Sequence, residues 1–128
     1  MEKEIPLTEK EEEFLKYLKR ELIFTNIKIR TKISLEELCE ESGNIMVDLN
    51  RNREAMKGVL IDFVLYRNNK AIAGIEVVDE PDEFLNSQGE KILKNFIFNT
   101  LGYECFRVVE MDRLKQSARF IKNEVLKK

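Results

Sequence analysis

The sequence predicts an α/β fold in one domain of residues 1–128, with a mixed sheet of four to five strands flanked by helices. Stretches near both ends have apolar residues at helical spacing, and the middle of the chain has two apolar runs separated by a short polar turn. A further helix and strand follow, so that helices and strands alternate as they do in α/β proteins. With 128 residues, of which 43% are hydrophobic, the chain is long enough for one compact core.

The first helix is predicted to begin just after Leu7. Thr8 is placed to cap it, and Glu11, three residues later, completes a capping box. An apolar stripe follows, formed by Phe14, Leu15, Leu18 and Leu22. Glu11 lies at the start of this stripe. It could serve as a capping acid, which the helix dipole favours, or as a residue of a functional site.

Residues 24–33 alternate between apolar and polar side chains, which is typical of a half-buried edge strand. The polar face carries Lys28, Arg30 and Lys32, which we expect to be exposed or to face phosphate. Lysines on an edge strand also prevent unwanted strand pairing, which is the simpler explanation for them. A short capped helix is predicted from Ser34, and a mobile connection in residues 42–57.

The central feature is a predicted hairpin over residues 58–78, with its turn at Asn68 and Asn69. Each strand carries one acid in an otherwise hydrophobic run, Asp62 in the first and Glu76 in the second. Pairing around the turn brings residue 62 close to residue 75 or 76. A buried carboxylate is costly unless it is paired, and two neighbouring carboxylates repel each other unless they share a cation. The hairpin therefore predicts a metal site formed by Asp62 and Glu76.

A helix is predicted from about Asp82 to Leu101, with Gly102 as its C-cap. Gln88 and Lys91 lie near the edge of its apolar stripe, facing the end of the sheet, and Lys94 lies a step further around. A strand over residues 103–109 and a helix over 111–127 follow, reached by a right-handed parallel crossover. The predicted core side of the 82–101 helix consists of Leu85, Ile92, Leu93, Phe96 and Ile97.

Composition excludes several kinds of site. The chain has no histidine, which removes histidine-dependent triads and most catalytic zinc sites, and leaves carboxylates and lysines to perform any chemistry. Its two cysteines are far apart in sequence, and we expect reduced, partly buried thiols. No apolar run is long enough to span a membrane and the N-terminal residues are acidic, so we expect a cytoplasmic protein with no membrane partner.

The ordered series of motifs resembles the PD-(D/E)XK, or restriction-endonuclease-like, nuclease superfamily, and is most similar to a bacterial family of uncharacterised domains within it. The resemblance covers nearly the whole chain, and its weight comes from the order of motifs that are weak individually. The matching positions are Leu7, Thr8, Glu11 and Phe14, then Ile29-Arg30, then Ile61-Asp62-Phe63-Val64, then Ile75-Glu76, and finally Gln88, Lys94, Gly102 and Arg107.

The resemblance implies a Mg²⁺-dependent DNA endonuclease in which Asp62 and Glu76 bind the metal. Glu11 would be a supporting acid, Lys91 or Lys94 the charged helper, and Gln88 would position water or phosphate. Arg30 and Arg107 would contact the DNA backbone, with Lys28 and Lys32 beside the substrate groove.

Two departures from the family pattern indicate a weakened or lost active site. Val78 stands two residues after Glu76, where the superfamily has a lysine or an aspartate, and it can neither bind a hard cation nor move a proton. Lys91 stands where the family has an acid, and it could neutralise Asp62 and Glu76 without any metal. The alternative function is a non-catalytic module that keeps the fold to bind a protein partner or nucleic acid. The pI near 5.4 disfavours tight sequence-independent DNA binding.

Overall fold

A computed structural model describes residues 6–42, 58–78, 88–108 and 113–127, with the backbone alone for Ser42 and residues 88–91. The elements are α1 (Glu9–Leu22), β1 (Ile27–Ser34), α2 (Leu35–Ser42), β2 (Leu60–Arg67), β3 (Lys70–Val77), α3 (Gln88–Leu101), β4 (Glu104–Val108) and α4 (Leu114–Leu126). This order confirms the predicted α/β class. The expected connection in residues 42–57 lies outside the described residues, apart from residue 42 at the end of α2, and so does the part of the predicted third helix before residue 88.

The four described strands form one mixed sheet in the order β1-β2-β3-β4. β2 pairs antiparallel with both β1 and β3, whereas β3 pairs parallel with β4 through the helix α3. The β2–β3 turn has left-handed backbone at Asn68 and Asn69, with φ of 53° and 65°. Asparagine tolerates this conformation better than most residues, which explains the tight hairpin that the sequence predicts.

Two apolar clusters, one on each face of the sheet, form the core. The first joins α1 and α4 to the sheet, and the second joins α2 and α3 to the opposite face. Helix α1 contributes the stripe that its helical spacing predicts, with Phe14, Leu18 and Leu22 buried. The protein is therefore a three-layer arrangement of helices, sheet and helices.

Helix α3 packs differently from the prediction. Ile97 and Phe98 are buried, whereas Ile92 and Phe96 are 69% and 54% exposed. The prediction that the latter two belong to the core was wrong, because the helix turns a face containing Lys94 and Phe98 toward the sheet. Among the described residues, no helix is both long enough and apolar enough to cross a bilayer.

Candidate functional site

Six charged side chains meet at one end of the sheet, where the N-terminus of α1 approaches the start of β2 and the end of β3. Four of them, Lys10, Glu11, Glu76 and Lys94, are buried. The other two, Lys32 and Asp62, are mostly buried, with side-chain exposures of 15% and 13%. We call these six residues the acid–lysine cluster.

The first turn of α1 supplies two members of the cluster. Thr8 caps the helix as predicted: its hydroxyl accepts from the Glu11 N–H at 3.2 Å, and its own N–H donates to Glu11 Oε1 at 2.8 Å. The capping box thus fixes one oxygen of Glu11 and leaves Oε2 directed at Lys32, whose Nζ donates to it at 2.6 Å. Lys10 Nζ donates to the Val78 carbonyl at 2.6 Å, which ties α1 to the end of β3.

Both carboxylate oxygens of Asp62 are hydrogen-bonded. Lys32 Nζ donates to Oδ1 at 2.8 Å, and the Val77 N–H donates to Oδ2 at 2.8 Å. The pairing of β2 with β3 ends at Phe63 and Ile75, so Asp62 and Glu76 are the next residues of the two strands, and the Asp62 charge acts on Glu76. A register shift between Leu65 and Tyr66 sets Phe63 opposite Ile75 instead of residue 74. The two predicted acids are therefore brought together.

Glu76 is held less completely than Asp62. Lys94 Nζ lies 2.9 Å from Glu76 Oε1 and forms a buried ion pair with it, although the angles of this contact are poorer than those of the hydrogen bonds to Asp62. Burial raises the pKa of Glu76 to about 7; the nearby Asp62 also raises it, and the Lys94 and Arg107 charges oppose the shift. Glu76 is thus the acid of the cluster whose charge is least well compensated.

The side chain of Lys32 lies on a different face of the sheet from the one that the sequence predicts. Ile27 and Ile29 pack on the α1 side of the sheet, but Ile33, which simple alternation would place with them, belongs to the cluster on the α2 side. The change occurs at Lys32, whose φ of 50° is left-handed. The prediction that Lys32 shares an outer face with Lys28 and Arg30 was wrong, because this backbone conformation interrupts the alternation of side chains.

The other predicted nucleic-acid contacts are distributed over the molecule. Arg30 lies against α2, where it pairs with Glu41 at 3.0 Å and Glu37 at 3.4 Å, and Lys28 is exposed. Arg107 lies on β4 directly beside Glu76 in the parallel register. It also lines a surface cavity of about 450 Å³ between β4 and α4, together with Arg113 and Phe120.

Of the helix residues predicted for the site, Lys94 reaches the acids and pairs with Glu76. Gln88 and Lys91 lie in the first turn of α3, and their side chains fall outside the described part of the structure. Lys94 therefore contacts the cluster, and the role of either lysine in a site stays a prediction.

The donor chemistry of Asp62 and Glu76 fits a magnesium ion. Mg²⁺ prefers oxygen ligands and is commonly held by one or two carboxylates, with water and substrate phosphate completing its coordination. Glu76 Oε1 is a buried oxygen that already contacts a cation, the Lys94 ammonium at 2.9 Å. Within the described ranges no three acidic, cysteine or histidine side chains form a metal-binding group.

Sequence reasoning missed Lys10, although its position contained a usable signal. Lys10 lies four residues before Phe14 and thus extends the buried stripe of α1 by one turn. A charged residue on a buried stripe needs a partner, and here the Val78 carbonyl provides it.

The two thiols contribute no nucleophile to this site. Cys39 is buried and Cys105 is partly buried, and each is a thiol that forms no disulfide among the described residues. Burial raises the pKa of each thiol to about 11, so each is protonated at neutral pH.

Comparison with known proteins identifies no relative: no protein-family model, no curated protein and no solved structure matches this chain.

Proposed function

We propose that this protein is a Mg²⁺-dependent phosphodiesterase of the restriction-endonuclease-like class that acts on DNA, with a metal affinity weakened by its own lysines. The observation that carries the proposal is the meeting of Asp62 and Glu76 on adjacent strands, with the Lys94 ammonium 2.9 Å from Glu76. Two carboxylates suit a bound Mg²⁺ ion, and with a lysine they form the set that the resemblance to the nuclease superfamily implies. The order of helices and strands and the mixed sheet are compatible with this fold.

In this proposal, Asp62 and Glu76 hold the ion, which when bound polarises the scissile phosphate and lowers the pKa of a water molecule. Val78 stands where the superfamily pattern has a lysine. Lys94 takes the role of that lysine, because it brings an ammonium group from helix α3 to the Glu76 carboxylate. A fixed positive charge at this position stabilises the negative charge that develops on the phosphate. Arg107, beside Glu76 in the sheet, is suited to contact the substrate backbone.

A nicking assay on supercoiled plasmid with Mg²⁺ or Mn²⁺ tests the proposal. Asp62→Asn is the matched loss-of-function variant, because the asparagine oxygen can still accept from the Val77 N–H. Lys94→Met is expected to slow cleavage by about a hundredfold or more. Lys19→Ala, a substitution of an exposed lysine in the last turn of α1, controls for the loss of positive charge and is expected to cleave like the wild type. Cleavage that persists in Asp62→Asn would refute the assignment.

A second function is favoured by a specific observation: each of the three acids already has a lysine partner. Glu11 and Asp62 share Lys32, and Glu76 pairs with Lys94. A cluster neutralised in this way suits a non-catalytic module that keeps the fold to bind a partner, and the acidic pI of about 5.4 favours a protein partner over DNA. Calorimetric titration with Mn²⁺ distinguishes the two, since this second function expects neither a heat of metal binding nor cleavage.

A further inference from the structure

Lys32 combines two features that ordinary strand residues lack. Its backbone is left-handed, with φ of 50°, in the middle of a strand. This conformation is unfavourable for a residue with a side chain, and it persists only where the surrounding contacts require it. An outlier of this kind is a reason to ask what the side chain does.

The backbone conformation determines which layer the Lys32 side chain enters. Arg30, two residues earlier, projects toward α2 and pairs with Glu37 and Glu41. Regular alternation would send Lys32 to the same face. Instead, Lys32 Nζ reaches Glu11 of α1, on the opposite side of the sheet.

The ammonium group of Lys32 bridges two acids from different elements. It lies 2.6 Å from Glu11 Oε2 and 2.8 Å from Asp62 Oδ1, and the side chain is only 15% exposed. Both contacts are to carboxylate oxygens at short distance, which is the environment of an ammonium cation.

We propose that Lys32 is a tethered cation: it neutralises Asp62 and Glu11 in place of a divalent ion, and thereby sets the metal affinity of the cluster. The inference rests on the proposed function, because it concerns the same carboxylates. Lys32 is a positioning residue, not a catalytic one. It competes with a metal ion for Asp62 Oδ1 while Val77 holds the other oxygen of that carboxylate.

The charge balance of the cluster explains why this lysine has a large effect. Lys32 bridges Glu11 and Asp62, whereas Lys94 pairs with Glu76 and Lys10 bonds to the Val78 carbonyl. Removal of Lys32 takes this lysine partner from two carboxylates at once in a largely buried site, where charge interactions are stronger than in water. A divalent cation is then the natural replacement.

Lys32→Ala and Lys32→Gly together test the inference. Both remove the ammonium group, but glycine adopts left-handed backbone without penalty whereas alanine does not. We expect both variants to bind Mn²⁺ at least about tenfold more tightly than the wild type in calorimetric titration. Lys28→Ala is the matched control on the same strand, and its Mn²⁺ affinity should equal that of the wild type.

Thermal unfolding provides a readout that does not depend on activity. Without a divalent ion, Lys32→Ala is expected to unfold at a lower temperature than the wild type, because Glu11 and Asp62 lose their shared partner. Mn²⁺ should raise the unfolding temperature of this variant more than that of the wild type. Lys32→Gly should be the more stable of the two variants, and it keeps the test available where the alanine variant fails to fold.

The outcomes separate this inference from the proposed function. A wild type that nicks plasmid, with variants that bind Mn²⁺ no more tightly, would overturn the inference and leave the nuclease proposal standing. A wild type without cleavage or binding, with variants that bind Mn²⁺, would support the inference and refute the activity. No binding by any of the proteins would overturn both.

Discussion

Gly74 determines how closely helix α3 approaches the sheet, and its replacement by alanine should destabilise the protein. A Cβ atom at this position would lie 2.4 Å from Phe98 Cζ and 2.7 Å from Phe98 Cε1. Carbon atoms in contact are separated by about 3.5–4.0 Å, so the ring would have to retreat by about 1 Å. Overpacking of this kind in a closely packed core costs about 1–3 kcal/mol of the free energy of unfolding.

The same substitution should affect the acid–lysine cluster. Lys94 lies one helical turn before Phe98 on α3, and Glu76 lies two residues after Gly74 on β3, so the two contacts are neighbours on one helix–sheet interface. A helix displaced by the Phe98 ring would lengthen the ion pair between Lys94 and Glu76. Gly74→Ala is therefore expected to lower both stability and any activity that depends on Lys94.

Urea unfolding of a double-mutant cycle measures this effect. Phe98→Leu shortens the side chain that a Cβ at position 74 would meet, so Gly74→Ala should cost less in the Phe98→Leu background than in the wild type. The difference between the two costs isolates the clash from other consequences of losing a glycine. An equal cost in both backgrounds would refute the reasoning, as would an unchanged unfolding midpoint in Gly74→Ala.

Three further predictions concern single residues. The pKa of Glu76 is raised from 4.5 to about 7, so the folded protein binds a proton at Glu76 more tightly than the unfolded chain does. The stability gained from this proton is fully present below pH 4.5 and is lost as the pH rises through 7. The stability difference between the wild type and Glu76→Gln, measured by urea unfolding, should therefore change by about 3 kcal/mol between pH 4 and 8, and a constant difference would contradict the pKa shift. Thr8→Ala removes the α1 cap and should lower the unfolding free energy by about 1 kcal/mol, whereas Thr8→Ser should largely retain it. Asn69→Gly should match or exceed the wild type in thermal stability while Asn69→Ala falls below it, because residue 69 has φ of 65°; equal stability of the two variants would argue against the left-handed turn.

The elements of the fold were predictable because each has a strong local signal. The capping box at Thr8 and Glu11 fixes where α1 begins, and the Asn68-Asn69 turn fixes the hairpin. The parallel pairing of β3 with β4 follows from the helix between them. Exposure of Ile92 and Phe96 was not predictable, because an apolar residue on a helix does not reveal which of two adjacent faces meets the sheet.

The candidate site was predictable in its acids and less so in its lysines. Asp62 and Glu76 are identifiable because a carboxylate in an apolar strand is unusual and needs a partner. Lys32 is not identifiable in the same way, since its position depends on one left-handed residue, which a pattern of polar and apolar side chains does not encode. Even the register of the hairpin, which sets Phe63 opposite Ile75, depends on a shift within the strands that the sequence left undecided.

The negative charges of Asp62 and Glu76 are neutralised in physically different ways, and this difference matters for both proposed functions. Asp62 accepts from a side chain and from the backbone, so its charge is fixed by groups that are themselves held in the sheet. Glu76 forms an ion pair with Lys94, but the angles of that contact are poor. Burial outweighs the effect of Lys94, so the pKa of Glu76 is raised. A purely structural ion pair gains most when its hydrogen bonds are complete, because desolvation otherwise exceeds the attraction. The negative charge of Glu76 is therefore only partly neutralised. On the function proposed above, Glu76 is the acid at which an additional cation would bind most favourably.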